Sequence, residues 1–422
     1  MNSLQPLFGL DRHLSSVSAV TVLDAWGSVP VVVTGDASGN CVVWSILTRR
    51  ELLRFSPEAA SRCAYGCSDK QEVDRAEGLQ GVMWCAGFGE AIDVDHCRCL
   101  RFVTQLRSQK LVAWEMLMGD EESKSEDDET AHAIDLTPRL LASTAVPQFG
   151  FCSVAKICSS REEALFAVPT DDATHGTIWL TELVRRSSGW CFERRAALAL
   201  QADFRGGQLM AMCSGRLQLC WAEEEEREYL SAGFESGHLV LAARKNRAEM
   251  KVLSATRCFS EPVMTVAFLG DLRLCCGSAD GLIHCYLAAV DAAQVTLTLT
   301  WEHRCGVGVG HCAAVDSRIL FAGCWDGSLR LLDACGEGNV VTILTSHRAS
   351  VQMVCCIGPF LEGRPPGGLK EPMDIAPSTL SKPPSFLFAP ARRQNGGNGG
   401  RRVYGAVSAS SDGKVLIWRV EA

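Results

Sequence analysis

Three groups of residues in this chain of 422 carry types that could do chemistry. The first is His96, Cys97 and Cys99, an imidazole and two thiols of the kind that ligate metals. Cys-x-Cys is not the spacing of a zinc knuckle, and no second pair follows, so no metal is expected. The second is the run Gly306–Gly310, GVGVG, flanked by His303 and His311. Glycines can cradle a phosphate, but no Lys-Ser/Thr and no helix follow them. The two histidines lack a third ligand, and either is read as the histidine preceding the first strand of a structural repeat. The third is a recurring polar set. His347, Ser410, Asp412 and Trp418 form its fullest copy; His13 and Trp44, Asp280, and Asp326 belong to eroded copies. In the copy with His13, Asp36 is present but Ser38 occupies the turn position of the acid. Buried together, such groups satisfy one another's hydrogen bonds and lock a scaffold. With no HExxH, no GxSxG, no phosphate loop and no convergent pair of carboxylates, the chain reads as a non-enzyme without a cofactor or small-molecule substrate.

What positions the polar sets is a hairpin that recurs. It appears as VVVTGDASGNCVVWSI (Val31–Ile46), YLSAGFESGHLVLAA (Tyr229–Ala243), RLCCGSADGLIHCYL (Arg273–Leu287), ILFAGCWDGSLRLLD (Ile319–Asp333) and GAVSASSDGKVLIWRV near the C-terminal end. Each has an apolar strand, a small-residue step, an acidic or Ser residue, a glycine, and a strand running to an aromatic or apolar end. The glycine supplies the positive φ of a tight turn. Gly237 to Gly281 is 44 residues and Gly281 to Gly327 is 46, a period matching the four-stranded WD40 blade. Weaker copies, Cys99–Leu117 with Trp114 and Ala164–Leu183 with His175-Gly176, bring the count to seven. Strands such as SSVSAVTVL, EPVMTVAFL and ASVQMVCCI precede hairpins and read as the innermost strands. The chain is thus expected to be all-β: a single seven-bladed WD40 propeller over residues 1–422. The last blade has three strands of its own, so Gln5–Leu10 (QPLFGL) is expected to pair beside Val415–Val420 and close the ring.

About 60 residues per blade exceed the usual length, so insertions are required. An acidic insertion spans 119–137, the run Ala222–Glu228 joins two strands of blade four, and a Pro/Gly/Arg-rich insertion spans 358–402. In this topology all three fall on one face. Ser123 and Ser125 sit among carboxylates, a context suited to acid-directed phosphorylation. Arg392, Arg393, Arg401 and Arg402 are candidate contacts to an acidic protein partner, and Trp325 and Arg330 are further candidates around the blade-six turn. Acids outnumber bases 49 to 41, giving a formal charge of −8, which argues against a general nucleic-acid binder. No apolar run reaches the ~18 residues of a membrane helix, and the start lacks a secretory pattern. With 21 scattered cysteines, this reads as an intracellular protein with reduced, mostly buried thiols and no membrane partner.

The blade sequences carry a more specific likeness. LFGLDRHLSSVSAVTVL with TGDASGNCVVWSILTRR, FGFCSVAKI with ALFAVPTDDATHGTIWLTEL, GQLMAMCSGRLQL with LSAGFESGHLVL, EPVMTVAF with CGSADG, and FAGCWDGSLRLLD span most of the chain. They resemble the ASTRA-associated protein 1 family, whose animal members are called guanine-nucleotide-binding-protein beta-subunit-like protein 1. Ser236, where the family carries Asp, and Ala242 and Leu332, where it carries Trp or Phe, depart from the pattern. The resemblance implies a non-enzymatic adaptor of the nucleus and cytoplasm, associated with the ASTRA/TTT co-chaperone machinery. Its implied partners are TTT/ASTRA subunits, RuvB-like AAA+ ATPases, the ninety-kilodalton heat-shock chaperone and phosphatidylinositol-3-kinase-related kinases, with a link to chromatin remodelling. The alternative is another WD40 adaptor, such as a substrate receptor of a cullin ubiquitin ligase. Such receptors carry Trp-Asp-x-Arg at a third-strand end, and Trp44-Ser45-Ile46-Leu47, Trp114-Glu115-Met116-Leu117 and Trp418-Arg419-Val420-Glu421 do not match it. If the acidic insertion recruits a partner, deleting Gly119–Glu129 lowers co-purification of that partner; unchanged recovery removes the idea.

Overall fold

The computed structural model describes residues 5–23, 31–46, 48–64, 81–88, 92–94, 97–119, 138–146, 150–170, 178–198, 200, 204–217, 227–246, 249–270, 272–291, 294–360 and 403–421. Their strands form seven antiparallel sheets, six of four strands and one with a short additional strand, Ile92–Val94. In six sheets the strands run in sequence order from an inner strand outward; in the seventh three strands do so and the outermost place is taken by Phe8–Gly9, so that each sheet is one blade of a propeller. Blade one runs from Val17–Leu23 through Val31–Asp36 and Cys41–Ser45 to Arg50–Phe55. Its second strand is buried at every position, while its outer strand has no buried position, only exposed and half-buried ones. A blade packs on a neighbour at both faces, so its middle strands read as apolar runs rather than alternations.

The turn joining second and third strands depends on backbone geometry. Gly39, Gly237, Gly281, Gly327 and Gly413 all have φ between 77° and 87°. A Cβ on Gly237 would also lie 2.1 Å from the Phe259 carbonyl oxygen, so a side chain is excluded twice over. Blade two places Gln109 at the same turn with φ 62°, a strain of about 1 kcal/mol for a non-glycine residue. The corresponding turn of blade three, with His175 and Gly176, lies outside the described residues.

Adjacent blades meet through a second set of small residues, four positions before the turn. Cβ atoms on Gly35, Gly233, Gly277 and Gly323 would lie 2.4, 2.5, 2.9 and 2.6 Å from Val82, Val263, Val309 and Val351 respectively, except that Thr265 is equally near Gly277. Each of these valines begins the inner strand of the next blade. The small-residue step of the hairpin is therefore the seat for the following blade.

The ring closes as the sequence leads one to expect. Phe8–Gly9 pairs antiparallel with Val415–Glu421, Phe8 opposite Ile417 and Gly9 opposite Leu416. Leu7 and Leu10 extend the ladder, their amides donating to the carbonyls of Ile417 and Val415 at 2.8 Å each. Leu10 is 2% exposed and packs in a cluster shared by blades seven and one, with Val17, Trp44, Ala409 and Ile417. One helix, Pro57–Ala64, interrupts the all-β reading. Its local signals are ordinary: Ser56 caps it, Pro57 opens it and Glu58 lies in its first turn. It carries Glu58, 6% exposed, onto the blade-two turn, where the carboxylate accepts from Ser108 at 2.7 Å and Lys110 at 3.1 Å.

If closure holds the ring, Leu10→Ala costs about 3 kcal/mol, read as a lower urea midpoint. Removal of residues 1–10 lowers it further. A truncated chain with the full-length midpoint would exclude this role for the N-terminal strand.

Candidate functional site

The polar sets assemble from residues two positions apart on the middle strands. In blade one, the His13 ring meets Asp36 through Nδ1 at 2.8 Å and Thr34 through Nε2 at 2.7 Å, and Trp44 Nε1 donates to Thr34 at 2.8 Å. Blade one is thus complete rather than eroded, because Asp36, two residues before Ser38, supplies the carboxylate. In blade seven, His347 Nε2 and Trp418 Nε1 both meet Ser408 Oγ at 2.7 Å. The hydroxyl of this set is Ser408, not Ser410. Ser410 lies at the strand end, where its hydroxyl donates to the Ala349 carbonyl at 2.9 Å and accepts from the Asp412 amide. Asp412 approaches His347 Nδ1 at 3.4 Å, an electrostatic contact too long for a good hydrogen bond. Blades one and seven use opposite arrangements: acid then serine at positions 36 and 38, serine then acid at 410 and 412. Blade two keeps the core of the set, Trp114 Nε1 donating to Thr104 at 2.9 Å.

Blades five and six substitute other groups. Asp280 bonds Ser278, and Tyr286, at the tryptophan position, meets His284 at 3.0 Å. Asp326 accepts from Ser328 at 2.6 Å. Neither histidine beside GVGVG occupies the position before the blade-six inner strand. Cys305 does, while His303 lies on the outer strand of blade five and His311 on the inner strand itself.

A hydroxyl, an imidazole and a carboxylate in this order are the parts of a nucleophilic triad. Here they are sealed. Thr34, Asp36 and Ser408 are 0% exposed, and each hydroxyl is also held by a tryptophan N–H. No substrate can reach them, so the sets lock the strands of each blade to one another. Burial pushes Asp36 and Asp412 up, but this is more than offset, in Asp36 by His13 and the Asn40 amide and in Asp412 by the Arg348 and Lys414 amides. Burial pushes His347 below its ordinary value despite Asp412. Cys99 of the His96–Cys99 run is a buried thiol raised to about 11 by burial and by Glu115, and His96 lies outside the described residues.

The accessible chemistry lies at the mouth of the central channel. The residue after each inter-blade valine points inward by strand alternation. Ser18, Met83, Met264 and Gln352 arise this way, joined by Met210, Met353 and His311 around a cavity of about 270 Å³. Trp325, Phe151 and Arg107 rim it. Trp325 is 45% exposed and Phe151 71% exposed. The GVGVG run explains the first value: a Cβ on Gly308 would lie 2.3 Å from the Trp325 ring, so the indole rests on bare backbone with its other side open. His311 accepts from the Val354 amide at 3.3 Å, and burial pushes it down to about 4. Arg330 turns away into the scaffold. It is 14% exposed at the side chain and donates to the Cys305 carbonyl at 2.7 Å. Arg392, Arg393, Arg401, Arg402, Ser123 and Ser125 lie outside the described residues. Of the acidic run in blade four, Glu228 is described and forms an ion pair with Arg244.

No protein-family model and no curated protein matches the chain. Among solved structures it is similar to Saccharomyces cerevisiae Sqt1, at 13% identity over 100% of both chains with a TM-score of 0.55. It is also similar to Chaetomium thermophilum Sqt1 bound to the N-terminus of the ribosomal protein L10, at 13% identity over 98% of this chain and 99% of that one, TM-score 0.50. At such identity the likeness shows the propeller fold.

Two measurements check the networks. Ser408→Ala leaves the buried Trp418 N–H and the His347 ring nitrogen without their partner and costs about 2–3 kcal/mol, whereas Ser410→Ala costs about 1. Equal losses would reject the assignment of Ser408. His347 and His311 are held neutral, so the unfolded chain binds protons that the folded chain does not. Stability is therefore complete above pH 6.5 and falls as pH drops towards 4, by at most about 1.4 kcal/mol per pH unit for each histidine. His311→Gln flattens that slope in urea titrations at stepped pH.

Proposed function

We propose that this protein is a non-catalytic adaptor whose partner presents a segment to the channel mouth, and that it serves the ASTRA/TTT co-chaperone machinery in the nucleus and cytoplasm. The observation that carries the adaptor reading is Trp325, half-exposed on its glycine seat at a mouth it shares with Phe151 and several methionines. Tryptophan concentrates binding energy when a partner completes its burial. Methionine side chains adjust to varied apolar surfaces. The triad-like groups are closed to substrate, which removes the main reason to look for an enzyme. A solved propeller of similar fold is bound to the N-terminus of a ribosomal protein, which supports a protein segment as the kind of partner.

The narrower assignment rests on the family resemblance of the blade motifs. It makes the partners TTT/ASTRA subunits, RuvB-like ATPases and phosphatidylinositol-3-kinase-related kinases, with a role in the assembly and stability of those kinases and a link to chromatin remodelling. Affinity purification of the full chain, read by mass spectrometry, tests both levels. Recovery of those proteins by the wild type, with loss of about tenfold or more for Trp325→Ala, is the expected result. Recovery of cullin adaptors in their place overturns the narrower assignment. Full recovery with Trp325→Ala removes the channel mouth as the docking point.

A further inference from the structure

A second recess lies on the rim, where the ring closes. It is an open cleft of about 800 Å³ between the Gly9–Arg12 segment and the outer strand of blade one. Four guanidinium groups line it, from Arg12, Arg49, Arg50 and Arg54, against two carboxylates, Asp11 and Glu51. Glu51 is already held by Arg54 in a two-pronged contact at 3.0 and 2.8 Å. The second prong of Arg54 also donates to the Arg12 carbonyl at 3.0 Å, which ties the two walls together. Arg12, Arg49 and Arg50 are exposed, and none makes an ion pair among the described residues. Arg49 has φ 57°, outside the usual range for its type, and its guanidinium lies 4.7 Å above the Phe8 ring of the closing strand.

Three of these guanidinium groups lack an ion pair among the described residues and repel one another, and the cluster sits on a chain whose formal charge is −8. The local surplus is two positive charges. A phosphoryl group on Ser or Thr brings about −1.5 to −2 and three strong acceptors, which matches that surplus at one point. Arginine forks suit phosphate geometry. A nucleic acid fits less well. Single-stranded RNA binds through bases stacked on open aromatic faces. Here the Phe8 ring is capped by Arg49, and Trp44 is 2% exposed with its N–H committed to Thr34. We propose that this cleft binds a phosphorylated segment of a partner protein, with Arg12, Arg49 and Arg50 as its phosphate contacts.

The site is separate from the channel mouth, so the two stand or fall independently. The test uses the full chain and a degenerate peptide library with one fixed central phosphoserine, its twin with serine, a third with glutamate, and a uridine oligonucleotide. Retention on immobilised protein is the readout. The phosphoserine library is retained about tenfold better than its serine twin, and retention falls as salt rises. The double variant Arg12→Gln with Arg50→Gln loses this preference while its melting temperature is unchanged, and Trp325→Ala keeps it. Equal retention of the phosphoserine and serine libraries, or of the phosphoserine and glutamate libraries, overturns the proposal. So does tighter retention of the oligonucleotide, or a preference that survives in the double variant. If the double variant does not fold, Arg50→Gln alone must reduce the preference.

Discussion

Every part of this molecule depends on how closely one blade can approach the next. At four of the interfaces a valine opening an inner strand sits on a glycine of the preceding blade, at distances that leave no room for a Cβ. Protein interiors are packed to crystal density, so adding even one methyl group at such a point is felt throughout the contact. At the closing interface the equivalent residue is Ala409, in the buried cluster that also holds Val17. The same alternation that turns the valine into the interface turns its neighbour into the channel. Spacing between blades and composition of the channel wall are thus set by consecutive residues.

The polar sets act at a different scale, within blades. Their value lies in complete satisfaction: a buried hydroxyl receives from tryptophan and meets histidine, and histidine faces a carboxylate. Blades one and seven, which flank the closure, carry the fullest sets. The closing strand itself is only Phe8–Gly9, with Leu7 and Leu10 extending its hydrogen bonds. A short closing ladder is well served by strong locks on either side. The reversal of acid and serine between these blades indicates that the requirement is for a carboxylate near the imidazole, whichever of two same-face positions supplies it.

Two surfaces remain for partners, and their chemistry differs. The channel mouth sets Trp325, Phe151 and several methionines among polar side chains, so binding there would draw chiefly on buried area. The rim cleft is a concentration of guanidinium groups on an acidic protein, so binding there would draw on charge and respond to salt. Arg330 shows why side-chain type alone does not identify such surfaces. It lies five residues beyond Trp325, yet its guanidinium is taken up between blades by the Cys305 carbonyl.

Much was determined by the sequence alone. Glycine at a turn needing positive φ, paired apolar strands around it, and a repeat of 44 to 46 residues are local properties. They yield seven blades and, with one strand missing from the last, the closure by QPLFGL. The tryptophans Trp44, Trp114 and Trp418 were legible for the same reason. The helix Pro57–Ala64 carried cap signals, but they were submerged in a chain dominated by strands. Tertiary structure decided what depends on register and on distant neighbours. Thr34 and Ser408, rather than Ser410, face the histidine because cross-strand pairing puts them diagonal to the indole. The sequence denies GVGVG a phosphate-loop role but gives it no other; the structure shows Trp325 resting on Gly308. Arg12, Arg49 and Arg50 become a cluster only because closing the ring brings the N-terminal segment against the outer strand of blade one. Strand periodicity and turn geometry are written residue by residue; which side chains meet across blades is fixed by packing between segments far apart in the chain.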